Sequence, residues 1–84
     1  MNKSLLWEYL KMKIRVFSPL SDKLGFKDKE VKLHSKTRIR NLNELSRVNL
    51  QECLLFINKA KAVLDETEVD DGDELWIMPV VEGG

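Results

Sequence analysis

The chain has 84 residues, of which 43% are hydrophobic and 33% charged; this length and composition predict one small globular domain and exclude a disordered chain. No apolar run approaches the roughly 20 residues of a membrane helix. The net charge is zero, but the charges are unevenly placed: residues 1–50 carry twelve Lys and Arg against five Asp and Glu, whereas residues 51–84 carry two against nine. The lysines lack interleaved aromatic residues and glycine loops, so we interpret them as a solvated face rather than a nucleic-acid site.

The N-terminal residues 1–11 are predicted to be an extension, and residues 12–84 the folded domain. Ser4 is suited to cap a short amphipathic turn, with the alternative that Leu6 and Trp7 dock on the domain or on a partner. Lys3 is followed by three apolar residues before a glutamate, which is too short for a secretory signal, and the single cysteine excludes an internal disulfide. We therefore expect a cytoplasmic location.

A strand followed by a short helix is predicted at the start of the domain. Residues 12–17 alternate, with three apolar side chains on one face and Lys13, Arg15 and the apolar exception Phe17 on the other. Ser18 and the following proline are typical of a helix cap and first helical position, and Gly25 of a helix end, so a helix is expected at residues 19–24.

A second strand and the main helix come next in the predicted order. Residues 30–35 alternate again and are expected to pair with the first strand in an antiparallel hairpin. Thr37 is a candidate cap for a helix in which Ile39, Leu42 and Leu45 face the core at three-residue spacing.

The last third of the chain predicts three strands. Residues 53–57 form a continuous apolar run, and Asn58 and Lys59 are a turn-prone pair before a partner strand at residues 60–63. An aspartate- and glycine-rich turn at residues 70–73 leads into a final strand at residues 74–80, in which two core residues alternate with Trp76 and Met78.

These elements predict an α+β fold: one mixed sheet with one main helix packed on one face and a short helix after the first strand. With the first and last strands as central neighbours, Phe17, Trp76 and Met78 would gather on the face away from the main helix. We interpret them as a partner-binding surface, since large aromatic and Met side chains are common in interfaces. The alternative is that Leu6 and Trp7 cover this face.

Other candidate site residues favour structural interpretations. Cys53 lies in an apolar strand with no basic neighbour in sequence, which is typical of a structural thiol rather than a nucleophile. His34 is the only histidine and is expected at an exposed strand position, so no metal site is predicted. The acidic run at residues 66–74 places Thr67 and Val69 where a calcium loop needs carboxylates, so it is interpreted as a solvated turn that could steer docking.

The C-terminal residues 79–84, PVVEGG, are an unusual end for a packed domain. Glycine loses the most conformational freedom on ordering and buries no side chain, so stability does not explain the terminal pair. The five residues after Pro79 extend over roughly 17 Å, enough to carry the terminal carboxylate into the cleft of another protein. The tail is therefore a candidate reactive terminus.

Three segments together carry a resemblance to a known family. They are residues 17–25 (FSPLSDKLG) after a strand, residues 55–58 (LFIN) before a hairpin, and residues 71–84 (DGDELWIMPVVEGG). The chain resembles, over residues 12–84, the MoaD/ThiS family of ubiquitin-like β-grasp proteins.

The resemblance implies a sulfur carrier of the molybdopterin synthase small-subunit type. A ubiquitin-activating-type adenylating enzyme would use ATP to activate the carboxylate of Gly84, which sulfur then converts to a thiocarboxylate. Gly83 would let the backbone pass a narrow channel, and the tail would insert into the large subunit of molybdopterin synthase, which supplies most of the catalytic pocket. No permanently bound cofactor or metal is implied. The residues assigned to partner binding are Phe17, Trp76, Met78, Pro79, Val80, Val81 and Glu82.

The resemblance leaves other branches open. Molybdopterin-branch members often carry Pro-Pro where this chain has Pro79 and Val80, whereas the short helix after the first strand favours that branch over the thiamin one. The alternatives are a ubiquitin-like protein modifier joined to lysines through its C-terminal glycine, a thiamin-type sulfur carrier, and an interaction module without tail chemistry.

Overall fold

A five-stranded mixed sheet and a separate two-stranded one make up the fold, in a computed structural model that describes residues 9–59 and 61–80. The strands are β1 (Leu10–Val16), β2 (Asp28–Leu33), β3 (Thr37–Arg38), β4 (Cys53–Ile57), β5 (Lys61–Val63), β6 (Glu68–Val69) and β7 (Glu74–Pro79). The helical elements are α1 (Leu20–Leu24) and three 3-10 helices, Ile39–Asn41, Asn43–Leu45 and Leu50–Glu52. The predicted N-terminal turn at residues 4–10 and the docking of Leu6 and Trp7 fall wholly or mainly outside the described residues.

The large sheet has the strand order β2-β1-β7-β4-β5. The first and last strands are parallel central neighbours, as predicted, and the other pairs are antiparallel. β1 begins two residues earlier than expected because Leu10 pairs with Leu33 at the far end of the hairpin. In the same register Arg15 pairs with Asp28, so β2 begins at Asp28 rather than at the predicted residue 30.

The short helix α1 begins one residue later than predicted and is not capped by Ser18. Pro19 holds the cap position without a side-chain hydrogen bond, and its carbonyl oxygen accepts from the Asp22 N–H at 3.1 Å. The predicted end is confirmed: Gly25 has φ of 86°, in the left-handed region, and its N–H donates to the Ser21 carbonyl oxygen at 2.8 Å.

The main helix predicted after Thr37 is wrong; two short 3-10 helices take its place. Thr37 and Arg38 instead form β3, which pairs with β6, a strand too short to leave an alternating pattern in the sequence. The three-residue spacing does not distinguish the two kinds of helix, because residues three apart share a face in both. The extended backbone of Leu42, with ψ of 123°, separates the two turns.

The core lies between one face of the large sheet, here called the inner face, and the short helices. Side chains from α1 and the third 3-10 helix pack against its edge. The buried hydrophobic residues are Met12, Ile14, Val16, Val31, Ile39, Leu42, Leu45, Leu55, Val69, Leu75 and Ile77.

The turn between β4 and β5 is fixed by Asn58. Asn58 and Lys59 have φ of 56° and 69°, so the predicted turn-prone pair adopts left-handed backbone. The Asn58 N–H donates to the Glu74 carbonyl oxygen at 2.8 Å, and its Oδ1 accepts from the Glu74 N–H at 2.9 Å. The β4–β5 hairpin is thereby tied to the start of β7.

Candidate partner interface and tail base

The face of the large sheet opposite the core, here called the outer face, carries aromatic and Met side chains on β4, on β7 and just after the end of β1. Because side chains alternate along each strand, the residues that flank the buried Leu75 and Ile77 of β7 face outward, and these are Trp76 and Met78. Trp76 lies beside Arg15 of β1 and Phe56 of β4. Each strand thus contributes to the same surface.

Phe17 and Trp76 are in direct aromatic contact. Their ring centroids lie 5.2 Å apart with a tilt of 58°, within the favourable range for an aromatic pair. The Trp76 Nε1–H donates to Glu74 Oε2 at 2.7 Å, which satisfies the indole and fixes the ring. The sequence placed these two residues and Met78 on one face, and the structure brings them together there.

Two further residues of this surface, Leu54 and Phe56, were missed from the sequence. Leu54 pairs with Met78 and is 49% exposed, and Phe56 pairs with Trp76. β4 is apolar at every position, so its own pattern does not show which side chains face outward; only pairing with β7 could have shown it. The apolar patch consists of Phe17, Leu54, Phe56, Trp76 and Met78.

Pro79 and Val80, here called the tail base, lie at the end of the same row of side chains. The Val80 N–H donates to the Glu52 carbonyl oxygen at 3.1 Å, which extends the pairing of β7 with β4 past Pro79. Val80 is 47% exposed and follows Trp76 and Met78 at two-residue spacing. The other predicted tail residues, Val81, Glu82, Gly83 and Gly84, lie outside the described residues.

An open cavity of about 490 Å³ adjoins the tail base. It runs between α1 and the segment that contains the third 3-10 helix. Its lining residues are Leu20, Lys23, Val48, Asn49, Gln51, Glu52, Cys53, Pro79 and Val80.

Cys53 lies across from Pro79 at this cavity. Burial raises the pKa of its thiol, and the charge of Glu52 raises it further. Its Sγ lies 3.6 Å from the Asn49 carbonyl oxygen, at the distance of a weak hydrogen bond. These surroundings favour the protonated thiol and are consistent with a structural residue.

The remaining candidates have structural contacts. His34 is exposed just beyond β2, with its ring centroid 5.3 Å from that of Tyr9. The predicted acidic turn is confirmed: Gly72 has φ of 83°, and Asp73 Oδ2 accepts from the Asp70 N–H at 2.7 Å. Within residues 9–59 and 61–80, no group of His, Cys, Asp and Glu is arranged to hold a metal ion, and no helix there has the length and apolarity to cross a membrane.

A mixed sheet with parallel central first and last strands, and a short helix after the first, makes this a ubiquitin-like β-grasp domain. The chain belongs to the ThiS family, whose model matches residues 14–84. The resemblance noted from the three sequence segments is confirmed.

Solved structures with the same fold include proteins of two kinds. A putative molybdopterin converting factor subunit 1 from Pyrococcus furiosus superposes with a TM-score of 0.68 and 21% identity, covering 86% of this chain and 99% of that one. Small archaeal modifier protein 1 from Haloferax volcanii gives 0.69 and 21%, covering 88% and 99%. The Helicobacter pylori complex of molybdopterin-converting factor subunits 1 and 2 gives 0.57 and 20%, covering 89% and 100%.

Proposed function

We propose that this chain is a sulfur carrier that supplies the sulfur for molybdopterin synthesis as the small subunit of molybdopterin synthase. The observation that carries the proposal is the row formed by the half-buried Trp76 and Met78 and the exposed Val80, an apolar surface next to a tail that ends in Gly-Gly. The ThiS family membership supports a carrier, and the similarity to converting-factor subunits supports this branch.

The chemistry takes place at the carboxylate of Gly84. This carboxylate is a poor electrophile until its oxygen attacks the α-phosphate of ATP and displaces pyrophosphate. Hydrosulfide supplied by a donor then attacks the acyl carbon, AMP leaves with the electron pair of the acyl–oxygen bond, and the thiol proton is lost to water. The resulting thiocarboxylate is the group that donates sulfur; the adenylating enzyme holds ATP, and this chain supplies only its terminus.

The apolar patch and the tail have separate roles in the proposal. The tail enters the partner's active site, where glycine residues let the backbone approach the reacting carbonyl closely because they lack Cβ. β-branched Val80 and Val81 stiffen the approach. The patch binds the rim of that site, first on the adenylating enzyme and then on the large subunit, and we expect both encounters in the cytoplasm.

Intact mass after enzymatic activation tests the proposal. The chain is incubated with the adenylating enzyme from the same genome, ATP and a sulfur donor, and we expect a product in which one oxygen is replaced by sulfur at Gly84. Gly84→Val is the control, since a β-branched residue should block activation without changing the thermal unfolding midpoint. Absence of both adenylate and thiocarboxylate from the wild-type chain would contradict the proposal.

A second candidate function is protein modification through the same terminus. The fold similarity to small archaeal modifier protein 1 is as high as the similarity to the converting factor subunit, so it supports protein modification to the same degree. This function predicts isopeptide bonds between Gly84 and lysines of other proteins, detectable by mass spectrometry of cell extracts. The carrier function is favoured if the thiocarboxylated chain rescues molybdopterin synthesis and no lysine adducts are found.

A further inference from the structure

Arg15 lies at the margin of the apolar patch and is held by two neighbours. Its Nε donates to Asp28 Oδ1 at 2.8 Å across the β1–β2 pair. On the other side, its Cζ lies 5.8 Å from the centroid of the Trp76 ring. The guanidinium group is thus oriented before any partner arrives, although its side chain remains 46% exposed.

The orientation leaves the two Nη groups of Arg15 available as hydrogen-bond donors. The ion pair with Asp28 uses Nε, and among the residues that the structure describes no hydrogen bond is made by the two Nη groups. Two Nη groups in one plane match the two oxygens of a carboxylate.

A cavity of about 490 Å³ opens beside this guanidinium. Phe17 and Ser18 line it on the patch side, and Lys27 adds a second cation. Lys27 is exposed and has no ion pair within the described part of the chain. Ser21 also lines the cavity, and its buried Oγ has no hydrogen-bond partner among the described residues.

The charge of the cavity favours an anionic occupant. Asp28 is the acidic residue of its lining, and it is already paired with Arg15, so Lys27 leaves a net positive charge. The position beside Phe17 indicates an anion carried by whatever covers the patch, because Phe17 both belongs to the patch and lines this cavity. A carboxylate side chain supplies two acceptor oxygens for the two Nη groups.

We propose that Arg15 selects the partner: the protein surface that covers the apolar patch presents an Asp or Glu side chain that enters this cavity and binds Arg15 and Lys27. The inference rests on the proposed function, which identifies the patch as a docking surface, and adds the chemistry of the partner. The fixed guanidinium lowers the ordering cost of the contact, which is why an arginine held in advance contributes more than a mobile lysine.

Binding of the adenylating enzyme by Arg15→Gln and by Arg47→Gln tests the inference. Arg47 is an exposed arginine in the turn after the second 3-10 helix, so its variant makes the same change in charge away from the patch. We expect Arg15→Gln to weaken binding about tenfold, the scale of a lost charged hydrogen bond. Arg47→Gln should stay within about twofold, and Arg15→Lys, which keeps the charge and loses the paired donors, should fall between them.

Two further measurements separate the inference from the proposed function. Trp76→Ala tests the patch itself: if it weakens binding while Arg15→Gln and Arg47→Gln behave alike, the patch stands and the role of Arg15 is wrong. A titration of the isolated chain with inorganic phosphate, followed by the NMR signals of the Arg15 side chain, tests a free-anion site. Tight phosphate binding that Arg15→Gln abolishes, with unchanged affinity for the adenylating enzyme, would also overturn the inference.

Discussion

At the scale of single residues, Cys53 is the clearest case in which position and environment point in different directions. It lies opposite Pro79 at the tail base, a position that suggests a role in the proposed sulfur transfer. Reactive thiols, however, have their pKa lowered by nearby cations or helix N-termini, whereas burial and Glu52 raise the pKa here. The environment therefore favours a thiol that takes no part in the chemistry.

We predict that Cys53→Ala retains thiocarboxylate formation, measured by intact mass. The native thiol should react with iodoacetamide more slowly than the urea-unfolded thiol at mildly alkaline pH, because less of it is thiolate. Since the folded pKa is raised, the contribution of Cys53 to stability is complete below the unfolded pKa and is lost as pH rises through the folded pKa. Equal alkylation rates in both states, or loss of activation in Cys53→Ala, would contradict this assignment.

The outward residues show what a single sequence can reveal at this scale. Phe17 and Trp76 were identifiable because each places an aromatic ring where alternation calls for a polar side chain. Leu54 and Phe56 were not, since every position of β4 is apolar and the strand gives no contrast between its faces. Arg15 was identified as outward, but its contacts with Asp28 and Trp76 depend on neighbouring strands.

At the scale of elements, the β4–β5 turn offers a test of how one side chain joins a hairpin to the sheet. Asn58 combines left-handed backbone with a side-chain acceptor for the Glu74 N–H. Asn58→Ala should lose this bond and add strain, lowering the free energy of unfolding by about 2 to 3 kcal/mol. Asn58→Gly relieves the strain and should cost about 1 kcal/mol.

Urea unfolding of both variants measures the difference. Asn43→Ala is a matched control, because Asn43 is exposed, has no left-handed backbone and should change stability by less than about 0.5 kcal/mol. Equal losses for Asn58→Ala and Asn58→Gly would mean that backbone conformation does not matter at this position.

The elements differ in how well their sequence predicts them, for physical reasons. β1 alternates between apolar and charged side chains, so its faces followed from the pattern, whereas its central pairing with β7 was inferred from the order of the elements. The segment after Thr37 was assigned as an α-helix because Ile39, Leu42 and Leu45 share a face in either kind of helix. Pairing of β3 with β6 and the extended Leu42 decide for short turns, and both depend on contacts distant in sequence.

At the scale of the whole molecule, the strand order brings the two halves of the chain to opposite sides of β7. β2 and β1 come from residues 1–50 and lie on one side of β7, whereas β4 and β5 come from residues 51–84 and lie on the other. The apolar patch crosses this boundary, so a partner that covers it contacts both halves. Docking is therefore expected to depend on the folded sheet more than on the tail.

A chain ending at Val80 tests that division of roles. The shortened chain keeps the Val80 N–H bond to the Glu52 carbonyl oxygen and the whole of β7, so we expect the free energy of unfolding to change by less than about 0.5 kcal/mol. The shortened chain lacks Gly84 and should form no thiocarboxylate. It retains the patch, however, and should compete with the intact chain for the adenylating enzyme, lowering the initial rate of thiocarboxylate formation measured by intact mass.

The same shortened chain carrying Trp76→Ala is the matched control and should inhibit far less, because it lacks the central side chain of the patch while Leu75 and Ile77 keep the core intact. If inhibition rises with the concentration of the shortened chain but not with that of its Trp76→Ala variant, the outer face supplies most of the binding free energy. If neither chain inhibits at a large excess over the intact protein, the tail itself supplies the docking energy and the patch has another role.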